Sequence, residues 1–99
     1  AKQAASCSND SLTTINNCIN QGAARWGADV AWMHRVASCE SHKNPYAQNP
    51  SGAAGLFQFL GSTWASTPYG GESIWQAKWQ SLAAAWMYAQ HRQSEWVCN

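Results

Sequence analysis

Glu40 is the acid in this chain best placed to do chemistry. It follows an apolar helical stretch and Cys39, and it opens a long loop. The field at a helix C-terminus disfavours a negative charge, and an apolar wall acts in the same direction. Both push a carboxyl toward service as a general acid near neutral pH. An ordinary exposed helix-terminal Glu fits the same position, so position alone leaves the question open. Cys39 and His42 form a C-x-x-H that, with His34, invites a metal or thiol-nucleophile reading. Zinc needs a fourth well-placed ligand, and four cysteines in a small, charge-poor chain read better as two bridges. Neither a metal nor a cofactor is expected. His34 and His42 are not expected to be catalytic, although His42 can tune the charge of its neighbour, and His91 suits the C-terminal end of a helix. Of the remaining acids, Asp10 and Asp29 look like helix caps and Glu95 sits near the C-terminal tail. Glu72, in the turn Gly70-Gly71-Glu72-Ser73, is the one expected to reach a cleft.

Positioning these groups falls to helices. Asp10 or Ser11 can cap a first helix, in which Leu12, Ile15, Ile19 and Ala23 repeat at spacings of three and four and mark one buried face; Gly27 can end it. Asp29 caps a second, with Val30, Met33, Val36 and Ala37 as its stripe. That helix runs to 39–41, because Asn44-Pro45 opposes continuation. Residues 41–54, SHKNPYAQNPSGAA, form a loop of Pro, Asn, Ser and Gly. A third helix is predicted over 55–66, with Leu56, Phe59, Leu60 and Trp64 on one side. A fourth is predicted over 74–90, carrying Trp75, Trp79, Leu82, Ala83 and Trp86. The fold class is therefore mainly α: one small domain over 1–99, with 1–9 a loose arm held by Cys7.

Composition sets the limits on partners. Of the 99 residues 11% are charged, 45% are apolar and seven are Trp, for a net charge of +1, whereas an average soluble domain is about 25% charged. Disorder is excluded, since it needs low hydrophobicity and high net charge. Lys2, Arg25, Arg35, Lys43, Lys78 and Arg92 are scattered, so the clustered basic face of a nucleic-acid binder is missing. No apolar run approaches the ~20 residues of a membrane span, and no membrane insertion is expected. Cys7, Cys18, Cys39 and Cys98 allow three pairings. The preferred one joins Cys7 to Cys18 and Cys39 to Cys98, contributing about 3 and about 4 kcal/mol on a chain-entropy estimate. A secreted or extracytoplasmic life follows. With no leader ahead of Ala1, the chain reads as a mature protein or an excised domain.

Residues 40–58 read ESHKNPYAQNPSGAAGLFQ. This stretch resembles the core of the soluble lytic transglycosylase (SLT) domain, whose pattern is Glu-Ser, then Asn-Pro, then a Ser-Gly-Ala loop, then Gly-Leu-Met/Phe-Gln. Phe59-Leu60-Gly61-Ser62-Thr63-Trp64 is similar to the continuation in that family and in the resuscitation-promoting factors. Ala83-Ala84-Ala85-Trp86-Met87-Tyr88 resembles the family's third motif, and Trp96-Val97-Cys98 the end of the resuscitation-promoting factor domain, where a cysteine before the catalytic Glu pairs with the C-terminal one. The likeness covers 30–98 well; over 1–29 it is general.

The resemblance implies a lysozyme-like fold and a monomeric enzyme acting on peptidoglycan glycan strands. Glu40 takes the place of the family's single catalytic acid. It would protonate the glycosidic oxygen between N-acetylmuramic acid and N-acetylglucosamine, then deprotonate the muramic acid 6-hydroxyl, which closes to a 1,6-anhydro sugar. Ser41 would cap or orient that Glu. Asn49 stands where many members have a Ser touching the N-acetyl group. Phe57 replaces the usual Met as a wall for the glycan, and Gln58 matches the Gln that binds sugar. Tyr88 matches the Tyr that hydrogen-bonds the catalytic carboxyl, although Ala89 replaces the Asn that usually follows. Trp64 and Trp75 flank the loop-rich half and can stack on sugar rings, whereas Trp32, Trp79 and Trp86 read as core. Ordinary glycosidases need two carboxylates, about 5 Å apart for retention and about 6.5–9.5 Å for inversion. A lone acid suits an internal nucleophile. The rivals are a muramidase of the same fold with Glu72 activating water, a weakly catalytic glycan-binding or signalling module, and a structural disulfide-rich domain of a larger machine.

Overall fold

A computed structural model describes residues 5–98. Four helices follow in order, α1 (Leu12–Trp26), α2 (Val30–Ser41), α3 (Gly61–Ala65) and α4 (Ala77–Ala89), before a single 3-10 turn at Gln93–Glu95. The two disulfides join Cys7 to Cys18 and Cys39 to Cys98. No β-strand is present among the described residues; two isolated bridges, Gln48–Ala54 and Ala54–Phe59, stand in for one. Among those residues no helix is long and apolar enough to cross a membrane. The chain is a small, mainly helical, doubly stapled fold.

Where helix ends are set by neighbouring residues, sequence and structure agree. Ser11 caps α1 and exchanges bonds with Thr14, so that two backbone donors of the first turn are satisfied reciprocally. Gly27, at φ 69°, ends α1 in the left-handed conformation that suits glycine. Asp29 accepts from the Trp32 amide at 3.1 Å and starts α2.

Four expectations fail. The third helix does not begin at 55. Gly55 (φ 84°) and Gln58 (φ 52°) turn the chain left-handed, and Ala54 and Phe59 exchange both backbone bonds at 2.9 Å, which leaves only Gly61–Ala65 helical. The fourth helix begins at Ala77 and not at 74, because Asn9 takes the Ala77 amide at 2.8 Å and the Trp75 carbonyl at 2.7 Å. Asn9 and its neighbours are thus tied down: Asn17 and Gln21 donate to the carbonyls of Ser6 and Ala5. The arm expected to be loose is held over 5–9, and its first four residues lie outside the described part. Finally, the apolar stripes overreach at helix starts. Leu12 is 60% exposed, and Val30, Leu60 and Trp75 are exposed as well.

α4 runs through the middle. Its inward residues are small, Ala77, Ser81, Ala83, Ala84 and Ala85, with Gln80 and Met87, while Trp79 and Trp86 are only half-buried. Small residues let the helices approach closely: a Cβ on Gly22 of α1 would meet the Ser81 backbone at 2.8 Å. Beside this contact lies an aromatic cluster. Trp96 packs edge-on against Trp32, Phe57 and Phe59 at centroid distances of 5.4, 6.3 and 5.8 Å, and Phe59 likewise against Trp64 at 5.2 Å. Such edge-to-face pairs suit ring quadrupoles and make a rigid base for the loop above.

Candidate active site

α2 stops at Ser41 because His42 and Lys43 both take left-handed φ values, 53° and 58°. Neither is glycine, so this turn is held by its surroundings. Lys43 supplies much of the hold: its ammonium donates to Asn16 Oδ1 at 2.8 Å and to His34 Nδ1 at 2.9 Å. With Nδ1 accepting, the proton of the neutral imidazole sits on Nε2, which meets Asn20 Oδ1 at 2.7 Å. Burial first, then the Lys43 charge, holds the His34 pKa below its ordinary value. Burial also lowers that of Lys43.

The loop after this turn is fastened to the helices by two side chains. Ser41 is buried, and its hydroxyl donates to the Leu56 carbonyl at 2.7 Å, with the Ala37 carbonyl 3.0 Å away. Gln80, fully buried on α4, accepts from the Leu56 amide at 2.9 Å and donates to the carbonyls of Pro45 (3.1 Å) and Ile74 (2.5 Å). Gly55 is required beside it. A Cβ there would lie 2.6 Å from Gln80 Nε2, at a φ that side chains rarely adopt.

Glu40, half-buried, opens into a cleft of about 600 Å³. The cleft is bordered by Asn49, Ser51 and Gln58 of the loop, by Leu60 and Thr63 at the start of α3, by Met87 of α4, and by Glu95, Trp96, Val97 and Cys98 of the tail. The Glu40 carboxylate makes no hydrogen bond among the described residues, so its oxygens are open to a ligand. Asn49 Oδ1 accepts from the Ser51 amide (3.0 Å), the Ser51 hydroxyl (2.5 Å) and the Ala53 amide (3.1 Å). Three donors fix the orientation of the amide, and its NH₂ has no hydrogen-bond partner among the described residues. Gln58 is set the other way round. Its Nε2 donates to the carbonyls of Gly55 (2.9 Å) and Ala47 (3.1 Å), and its amide oxygen is left over.

Glu40, Asn49 and Gln58 are therefore brought together, with Ser41 directly behind. Phe57 and Trp64 are not. Phe57 is 0% exposed and belongs to the aromatic base beneath the cleft; Trp64 is also buried, its indole N–H reaching the Glu72 carbonyl at 3.3 Å. Neither ring offers a face to a ligand. Tyr88 packs at a tilt against Trp32, with ring centroids 5.1 Å apart, and its hydroxyl makes no hydrogen bond to Glu40 among the described residues. Cys39 has no thiol to give a metal or a substrate, because its sulfur is bonded to Cys98. Glu72 is exposed and outside the cleft lining; the second carboxylate that borders the cleft is Glu95. A signal for it existed in the sequence. Once Cys98 is tied beside Glu40, a residue three positions earlier lies within reach of the same space.

No curated protein and no solved structure matches this chain significantly. The transglycosylase SLT domain family does, over residues 17–96. That span takes in the cleft wall from Glu40 to Trp96, all of the lining but Val97 and Cys98, together with α1 from its second turn. The chain belongs to the transglycosylase SLT domain family, whose general chemistry is lytic-transglycosylase cleavage of peptidoglycan.

Proposed function

We propose that Glu40 performs both proton transfers of a lytic transglycosylase. As an acid it gives its proton to the β-1,4 glycosidic oxygen between N-acetylmuramic acid and N-acetylglucosamine, and the bond from that oxygen to the muramic C1 breaks. As a base it takes the proton of the muramic 6-hydroxyl while O6 bonds to C1, giving the 1,6-anhydro sugar and returning the carboxyl to its starting state. Water does not enter. The observation that carries this reading is a half-buried carboxyl with no hydrogen-bond partner among the described residues, opening into a cleft whose loop side supplies oriented amides. The NH₂ of Asn49 is suited to the N-acetyl carbonyl that assists at C1, and the amide oxygen of Gln58 to a sugar hydroxyl. Ser41 acts as a positioning residue by bonding the loop to the end of α2. The chain works as a monomer, outside the cytoplasm, in line with its two disulfides.

Glu95 favours a second reading. Two acids border one cleft, which is the arrangement of hydrolytic glycosidases, with Glu95 in the role that Glu72 cannot fill. Mass spectrometry of digested peptidoglycan separates the two: anhydro ends are lighter than hydrolytic ends by one water. Glu40→Gln should lower activity by about 100-fold or more through lost proton transfer while the protein stays folded. Anhydro products from the wild type, lost in the variant, support the transglycosylase. Reducing-end products sink it in favour of the muramidase.

A further inference from the structure

Glu95 differs from Glu40 in how it is held. Arg92 grips both of its oxygens, Nε to Oε2 at 2.5 Å and Nη2 to Oε1 at 3.1 Å, in the fork geometry that makes Arg–carboxylate pairs strong. The guanidinium is itself fixed. Its Nη1 reaches Ser66 Oγ at 3.3 Å just after α3, and its carbon lies 5.9 Å from the Trp86 ring on α4. The hydrogen bonds to Glu95 raise the Arg92 pKa. Backbone position is fixed too, because the next residue, Trp96, is buried with its indole N–H on the Phe57 carbonyl at 2.7 Å, and Cys98 is bonded to Cys39.

A carboxylate has about four lone-pair sites. Two are filled by Arg92, which stands behind Glu95 and does not border the cleft. The others are open to a ligand, since the side chain is 42% exposed. The fork holds this carboxylate in one orientation and makes it a good fixed acceptor. The sign of the cleft adds selectivity. Among the described residues its lining carries two carboxylates and neutral side chains but no Lys, Arg or His. An anionic group, such as the free lactyl carboxylate of a muramic acid, is repelled there. Beside Glu95, Val97 is 99% exposed and offers an apolar surface to the C–H face of a sugar.

We propose that the Arg92–Glu95 pair is a subsite for a neutral hexosamine of the N-acetylglucosamine type, with Glu95 accepting from its hydroxyl or amide donors and Arg92 holding that acceptor in place. The assignment rests on reading the cleft as a glycan cleft, and it makes Glu95 a specificity residue and not a base.

The probe is the β-1,4-linked tetramer of N-acetylglucosamine, which has no lactyl group, titrated calorimetrically into the wild type, Glu95→Ala and the charge swap R92E/E95R. Loss of two hydrogen bonds to a charged acceptor predicts binding about tenfold weaker or more in Glu95→Ala. On peptidoglycan the same variant should raise KM and leave kcat and the product type unchanged. The swap retains an ion pair, and so any bracing role, yet removes the acceptor from the cleft; it should hold Tm and fail to restore binding. The inference is overturned if the wild type does not bind the tetramer, if Glu95→Ala binds it as well as the wild type does, if the swap restores binding, or if Glu95→Ala lowers kcat at unchanged KM. Because the titration needs no bond cleavage, a wild type that binds the tetramer but cuts nothing would sink the proposed activity and leave this subsite standing.

Discussion

Lys43 ties the turn after Glu40 to α1 and α2 through one ammonium, and His34 is its weak point. The bond requires a neutral ring. In the unfolded chain His34 takes up a proton near the ordinary value of 6.5, whereas the folded chain resists until lower pH. Protons are then bound more readily by the unfolded state, so acidification costs stability, beginning near 6.5 and continuing through the lowered folded value. Urea midpoints measured at about pH 7 and about pH 5 should fall further for the wild type than for His34→Gln, which cannot titrate. Equal losses in the two proteins would mean that the Lys43–His34 bond contributes nothing. At this scale the meeting of Glu40, Asn49 and Gln58 at one cleft was legible, because their motif fixes their places along the chain. The burial of Phe57 and Trp64 was not, for a physical reason: a large ring is as well suited to the base of a cleft as to its wall, and only packing tells them apart.

Elements were legible where their boundaries are local. Ser11, Gly27 and Asp29 act on the residues next to them, so the end of α1 and the start of α2 were legible to the residue, the start of α1 to within one residue and the end of α2 to within two. The starts of α3 and α4 could not, because they depend on the Ala54–Phe59 exchange and on Asn9, which lies 68 positions before Ala77. Gln80 is the same kind of long-range device. An amide inside an alanine-rich helix looks like a surface residue in the sequence, but here it joins α4 to both ends of the active-site loop. Gln80→Leu would leave the Leu56 amide and the carbonyls of Pro45 and Ile74 without their partner. Each group stranded in this way costs about 1–3 kcal/mol. Denaturant unfolding should therefore show a loss of about 3 kcal/mol or more, and hydrogen exchange at the Leu56 amide should accelerate more than at amides in α1. A loss below about 1 kcal/mol would mean that the loop holds its shape without Gln80.

For the molecule as a whole, the larger disulfide does more than close a loop. Cys39 and Cys98 are 59 positions apart, and removing such a link costs about 4 kcal/mol on the chain-entropy estimate. Cys39→Ala/Cys98→Ala should lose about that much by chemical denaturation. Activity should fall even under conditions where the variant stays folded, because Glu95, Trp96 and Val97 border the cleft from the segment that the bond holds down. Full activity in a folded variant would show that the tail docks without its staple. The pairing was legible in the sequence; its result for the cleft was not, because a cysteine spacing says which parts of the chain meet and nothing of what those parts enclose. Cys39 is the residue next to Glu40, so the same oxidation that finishes the fold also finishes the place where chemistry occurs. On the proposed reading, a chain whose thiols are still reduced would lack the bond that holds Glu95, Trp96 and Val97 against the cleft, and cutting would wait until that bond forms.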